Sequence, residues 1–133
     1  MYGRKMDGTP IKVLVIDDSM FIVKQLSHIL SSAGFEIVGT AANGGEGLDL
    51  YEVLRPNVDL VTLDITMPKM DGITALEKLM AMDKNAKVVM VSALGKEDLV
   101  KKAILMGAKN FIVKPLEHQK VLERLSAVCT DFY

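Results

Sequence analysis

Val58-Asp59-Leu60-Val61-Thr62-Leu63-Asp64 decides the fold, together with the Ile65-Thr66-Met67-Pro68 that follows it. Hydrophobic side chains carry the run up to one acid, and the proline then turns the chain away. An apolar run of this length bounded by Pro reads as a buried strand of a parallel sheet. The carboxylate of Asp64 then stands at the C-terminal end of that strand, where open α/β sheets place their ligands. A second apolar run, Lys12-Val13-Leu14-Val15-Ile16, ends the same way in Asp17-Asp18. Three acids at the ends of two neighbouring strands repel one another. Mg²⁺, a hard cation that takes oxygen ligands, is the natural counter-charge.

Outward from these runs, strand and helix signals alternate. Ser19 caps a helix carrying Phe21, Ile22, Leu26, Ile29 and Leu30, and Gly34 ends it. Residues 35–40 form a shorter second strand, Asn43-Gly44-Gly45 reads as a loop, and a helix with Leu48, Tyr51, Val53 and Leu54 runs to the stop at Arg55-Pro56-Asn57. After the strand at 58–63, Asp71-Gly72 is a turn and a helix carries Ile73, Leu76, Leu79 and Met80. Strand four is 87–92, a helix spans 96–106 up to Gly107, strand five is 110–113 and the last helix runs over 117–128.

Five strands and five helices in strict alternation need right-handed crossovers between parallel strands. The fold class is therefore α/β, a doubly wound five-stranded parallel sheet. The flavodoxin-like order 2-1-3-4-5 sets strands one and three side by side, which brings Asp17 and Asp18 to Asp64. Alternation alone does not prove that order. Residues 1–9 read as a flexible tail, 10–129 as the single domain and 130–133 as a short C-terminal tail.

Size and composition agree with one domain: 133 residues, half of them hydrophobic and a quarter charged. The net charge of −1 gives no global field for nucleic acid. Cys129 is the only cysteine, so no internal disulfide forms, and it reads as a small hydrophobe on a helix. No stretch approaches the roughly 20 apolar residues of a membrane span, and the polar first ten residues are no signal segment. These features predict a cytoplasmic protein.

Five polar residues fall at or just past strand C-termini: Asp17, Asp18, Asp64, Ser92 and Lys114. In a parallel sheet these ends share one edge. Carboxylates that hold Mg²⁺, a hydroxyl and an ammonium suit the handling of a phosphoryl group. Each residue alone also has a plainer reading: Asp17 and Asp18 as helix caps, Ser92 as a strand-end hydroxyl, Lys114 as a solvated lysine and Phe111 as core. The set in order outweighs any one of them.

The pieces Ile16-Asp17-Asp18-Ser19, Asp64-Ile65-Thr66-Met67-Pro68, Asp71-Gly72, Ser92-Ala93, Gly107-Ala108 and Phe111-Ile112-Val113-Lys114-Pro115 resemble the receiver domain of two-component response regulators, in its stand-alone chemotaxis form. The resemblance covers roughly residues 10–128. It implies that Asp64 accepts a phosphoryl group from a phosphohistidine on a sensor histidine kinase. It implies that Asp18, Asp64 and the backbone carbonyl of Thr66 coordinate Mg²⁺, with Asp17 acting through a water. Lys114 then binds a phosphate oxygen, Ser92 moves toward the phosphoryl group, and Phe111 turns inward as the aromatic switch. A cis Lys114-Pro115 bond is also implied, though sequence does not fix an isomer. Phe111 departs from the Tyr common at its position and has no hydroxyl to donate. The implied partners are a chemotaxis-type histidine kinase, the flagellar motor switch protein and a phosphatase, bound by a monomer. The implied output surface is the last helix, strand five and the helix at 96–106, where Lys96, Lys101, Lys102 and Lys109 are basic.

A phosphorelay intermediary has the same chemistry with another partner. A phosphatase of the haloacid dehalogenase type needs an acid two residues after the nucleophile, and Thr66 stands there. A flavodoxin-like cofactor binder needs a phosphate loop after strand one, where Asp17-Asp18 has the wrong sign. His28 and His118 have no second ligand at metal spacing, and the methionines read as adaptable packing.

Overall fold

A computed structural model describes residues 2–133. The elements are β1 (Lys12–Ile16), α1 (Met20–Ser32), β2 (Glu36–Ala41), α2 (Gly44–Leu54), β3 (Leu60–Asp64), α3 (Gly72–Met82), β4 (Val88–Ser92), α4 (Glu97–Leu105), β5 (Asn110–Val113) and α5 (His118–Ser126). Single 3₁₀ turns follow α2 at Arg55–Asn57 and α5 at Thr130–Phe132. All four strand pairings are parallel, in the order β2-β1-β3-β4-β5. The fold class and strand order read from the sequence are those of the molecule.

Strand alternation divides the core in two. Val13, Val15, Leu60, Val89, Val91 and Ile112 pack with Leu26, Leu30, Val121 and Leu125 of α1 and α5. Leu14, Ile16, Val61, Leu63, Val88 and Met90 pack with Tyr51, Leu76, Leu79 and Val100 of α2, α3 and α4. The central strands are buried on both faces, which is why their sequences read as continuous apolar runs.

Three helices start on side-chain caps. Ser19 Oγ accepts the Ile22 N–H at 3.3 Å, Asn43 Oδ1 that of Glu46 at 2.9 Å, and Asp71 Oδ1 that of Thr74 at 2.8 Å. The Asn43-Gly44-Gly45 stretch is therefore not a loop but the cap and first residues of α2. A Cβ on Gly44 would lie 3.0–3.1 Å from Met70 and Ala75, so glycine lets α2 press onto α3.

The terminal expectations also change. Residues 2–9 are no loose tail. The Gly3 N–H donates to Ala33 O at 2.9 Å, and Lys5 Nζ donates to Asp59 Oδ1 at 3.0 Å. Asp59 also accepts the Lys12 N–H at 2.9 Å, so it fixes the entry to β1 and β3 rather than opening a strand. Residues 130–132 turn back and pack Phe132 against the α1/α5 core. Cys129 is fully buried, as a small hydrophobe would be, but it lies past the end of α5.

Candidate functional site

Register assembles the site. Ile16 pairs with Leu63, so the next residues on β1 and β3 are Asp17 and Asp64. Ser92 pairs with Val113, and the Lys114 N–H donates to Ser92 O at 2.7 Å. The five strand-end residues thus converge at one edge of the sheet. Asp17, Asp64 and Ser92 are almost completely buried, at 2, 3 and 2 % exposure, while Asp18 is open to solvent.

Each of the two buried carboxylates, Asp17 and Asp64, has one oxygen bonded to a backbone N–H and the other turned toward a lysine. Asp17 Oδ1 accepts the Ser19 N–H at 2.9 Å, at the mouth of α1, and Asp64 Oδ1 accepts the Thr66 N–H at 3.3 Å. The other oxygens, Asp17 Oδ2 and Asp64 Oδ2, face Lys114 Nζ at 3.4 and 3.5 Å. One ammonium is thus shared between two buried acids at distances longer than a good charge-assisted hydrogen bond. Asp17 Oδ2 is buried and makes no hydrogen bond. Burial pushes the Asp64 carboxyl up to about 7, and the Asp17 carboxylate and a contact with Asp18 act in the same direction; Lys114 and the Thr66 N–H only partly oppose them.

An excess of negative charge, with one buried carboxylate oxygen that makes no hydrogen bond, fits a cation. Asp17, Asp18 and Asp64 each offer a carboxylate oxygen, all within 4.8 Å of one another. An all-oxygen set with one solvent-facing member fits Mg²⁺, which keeps several waters. Thr66 lies exposed at the start of the loop after β3.

Phe111 is half-buried between two clefts. One of about 230 Å³ is shared with Leu94, Pro115, Lys120 and Arg124; the other, of about 240 Å³, is apolar and shared with Ser92, Ala93, Val100 and Val113. Its ring stacks under the Arg124 guanidinium at 4.7 Å. Arg124 is a contact the sequence did not reveal. Its backbone carbonyl accepts from Asn110 Nδ2 at 3.0 Å, joining α5 to β5. The Lys114–Pro115 peptide bond is cis. His28 and His118 are exposed, with no metal-ligating neighbours among the described residues.

A doubly wound sheet whose strand ends gather acids, a hydroxyl and a lysine defines a phosphoacceptor receiver. Residues 13–126 match the response regulator receiver domain, and the chain belongs to that family. Within it, the chain is CheY-like. It is 63 % identical to the chemotaxis protein CheY of Treponema pallidum over 126 residues, 95 % of this chain and 88 % of the relative. It is 45 % identical to CheY of Thermotoga maritima, over 88 % of this chain and 96 % of that one. The crystal structure of the CheX-CheY-BeF3-Mg²⁺ complex from Borrelia burgdorferi superposes with a TM-score of 0.92 at 57 % identity, covering 95 % of each chain. CheY4 of Vibrio cholerae superposes with a TM-score of 0.81 at 30 % identity, over 89 % of this chain and 98 % of that one. No helix among the described residues is long and apolar enough to cross a membrane.

Proposed function

We propose that the protein is a chemotaxis switch that accepts a phosphoryl group on Asp64 in a Mg²⁺-dependent reaction and hands the signal on through its own surface. The observation that carries this reading is the buried Asp64 carboxylate beside a second buried carboxylate, Asp17, whose Oδ2 makes no hydrogen bond, with a single lysine shared between the two. Such a site is incomplete without further positive charge.

Asp18, Asp64 and the Thr66 carbonyl would hold the metal, with Asp17 orienting it through water. Bound there, Mg²⁺ supplies the charge that keeps the carboxylates ionised and neutralises phosphate oxygens. The chain's own residues do the rest. Asp64 Oδ2 attacks phosphorus in line, the P–N bond of a phosphohistidine breaks, and the imidazole leaves with the bond pair. Lys114 exchanges its two carboxylate contacts for a phosphoryl oxygen, and the Ser92 hydroxyl donates to another. Catalysis here is positioning and charge stabilisation, so the protein promotes its own modification and loss of it rather than turning over a substrate.

The acyl phosphate carries about −1.5 to −2 charges where the carboxylate carried one. Drawing Ser92 toward it alters the wall of the apolar cleft beside Phe111, and the ring shifts from its stack on Arg124 into that cleft. The face changed by this is β5, α4 and α5, lined by Lys101, Lys102, Lys109 and Lys120 and by the exposed Ile104 and Leu105. Its mixed basic and apolar character suits an acidic amphipathic segment of the flagellar motor switch. The chemotaxis naming of the relatives supports a histidine kinase as donor, and the CheX complex of the Borrelia protein supports a CheX-type protein as a further partner.

The test is intact mass after incubation with Mg²⁺ and acetyl phosphate. A labile gain of one phosphoryl group is expected, lost when the metal is chelated and in Asp64→Asn. No gain in the native protein overturns the reading.

A further inference from the structure

The family match ends at residues 13 and 126, yet the segments on either side of it are built into the molecule and into each other. Residues 2–11 form a hairpin closed by an Arg4–Pro10 bridge and by the Lys5 N–H donating to Thr9 O at 2.8 Å, with Gly8 turning at φ +87°. One end of the hairpin is wedged between the end of α1 and the start of β2. The Gly3 N–H donates to Ala33 O, the Ile11 N–H to Gly3 O at 2.7 Å and the Glu36 N–H to Ile11 O at 2.9 Å. Only glycine fits there, because a Cβ on Gly3 would lie 2.1 Å from Phe35 N.

The hairpin then grips the C-terminal turn. The Met6 N–H donates to Phe132 O at 2.8 Å, and the Tyr133 hydroxyl to Tyr2 O. The Phe132 ring lies between two ammonium groups, Lys5 at 5.0 Å and Lys87 at 5.5 Å from its centre. Both lysines are themselves tied down, to Asp59 and Asp131. A further contact reaches α5 directly: Gln119 Nε2 donates to the Tyr2 hydroxyl at 3.1 Å.

We propose that residues 2–11 and 127–133 form one clasp, a unit that opens locally and as a whole, and that this clasp holds α5 in place on the sheet. Three contacts join the same two short segments, at Met6–Phe132, Lys5–Phe132 and Tyr2–Tyr133. Because they share residues and neighbours, loss of any one loosens the others, the behaviour of a small cooperative opening unit. The consequence reaches the switch region, because α5 carries the Arg124 that stacks on Phe111. The clasp itself does not depend on the phosphoryl chemistry of Asp64.

The molecule carries its own reporter. Cys129 is the only cysteine, lies fully buried between α5 and the C-terminal turn, and belongs to the same cluster as Val121, Leu122 and Leu125. Burial pushes its thiol up to about 12, so a reagent in solvent meets a reactive thiolate only after opening. The experiment is the alkylation rate of Cys129 by iodoacetamide in the full chain across sub-denaturing urea, with hydrogen exchange followed at α5 and α3. Native labelling is expected to show a much weaker urea dependence than global unfolding. Gly3→Ala, which lifts the hairpin, raises the rate at least roughly tenfold, and Tyr133→Phe, which removes the hydrogen bond to Tyr2 O, raises it roughly threefold. Amides of α5 quicken by similar factors and those of α3 do not. The proposal is overturned if labelling carries the full urea dependence of unfolding, or if both variants leave the thiol and α5 unchanged. Should Gly3→Ala fail to fold, Tyr133→Phe alone decides.

Discussion

At Asp64 the fold works against a side chain in a way that can be titrated. Its carboxyl sits at about 7 instead of 3.8, chiefly through burial and then through Asp17. The folded value is raised, so between about pH 4 and about pH 7 the native state holds a proton that the unfolded chain has released. Stability contributed by this group is present below that window and is lost as pH rises through it. In EDTA, urea unfolding is expected to show native protein losing stability relative to Asp64→Asn between about pH 5 and about pH 7.5. Mg²⁺ added at the upper pH restores it by relieving the Asp17–Asp64 repulsion. An unchanged difference across that range contradicts the account.

The convergence of Asp17, Asp18, Asp64, Ser92 and Lys114 was legible because each is polar where an apolar strand ends, and strand ends in a parallel sheet share an edge. Two features were not legible for the opposite reason. Arg124 is one cation among many on an amphipathic helix until β5 brings Phe111 beneath it. Lys69 has no local signature of its φ of +68°, a left-handed conformation that costs an L-residue about 1–2 kcal/mol. Asparagine tolerates that region, so Lys69→Asn is expected to raise stability by about 0.5–1 kcal/mol, read as a higher urea midpoint at unchanged slope.

At the scale of elements, the strands carry their signal in the sequence and the start of α2 does not. Period and burial identify a strand, whereas Gly44-Gly45 after an asparagine carries the composition of a turn. What overrides composition is packing between elements. Gly44 faces Met70 and Ala75 of the α3 side, and a Cβ on Gly47 would lie 2.5 Å from Ile16 Cδ1 on β1. Glycine is the condition for α2 to lie this close to the sheet, and Asn43 supplies the cap that a glycine-rich first turn needs. Gly47→Ala has better helix propensity but overfills this contact. We expect it to destabilise by about 1–3 kcal/mol, because Ile16 sits directly before Asp17 and has little room to yield. Thermal unfolding measures the sign, and a stabilised Gly47→Ala shows that propensity wins over packing here. Similar logic explains why β3 begins at Leu60: Asp59 is spent on the Lys12 N–H and on Lys5, two partners invisible in sequence.

For the whole molecule, the alternation of elements implies the layers, but it does not by itself fix the flavodoxin-like order 2-1-3-4-5, since several orders satisfy alternation. The folding-in of both termini was hidden because it depends on contacts between opposite ends of the chain. The finished architecture has one further consequence. The sheet separates two apolar clusters that share strands but not side chains: Leu26 lies fully buried in the α1 cluster and Leu76 in the α3 cluster. Each Leu→Ala change leaves a cavity on its own face and is expected to cost about 2–5 kcal/mol. The faces are distant and hold no common partner, so the double variant is expected to lose the sum of the two within about 0.5 kcal/mol. Urea titrations of the two single variants and the double, on the Asp64→Asn background to remove its proton linkage, decide this. A coupling well above that margin means that the strands transmit repacking from one face to the other. That same coupling would let a change at Ser92 on β4 reach both α4 and α5, whereas additivity confines the signal to the side chains around Phe111.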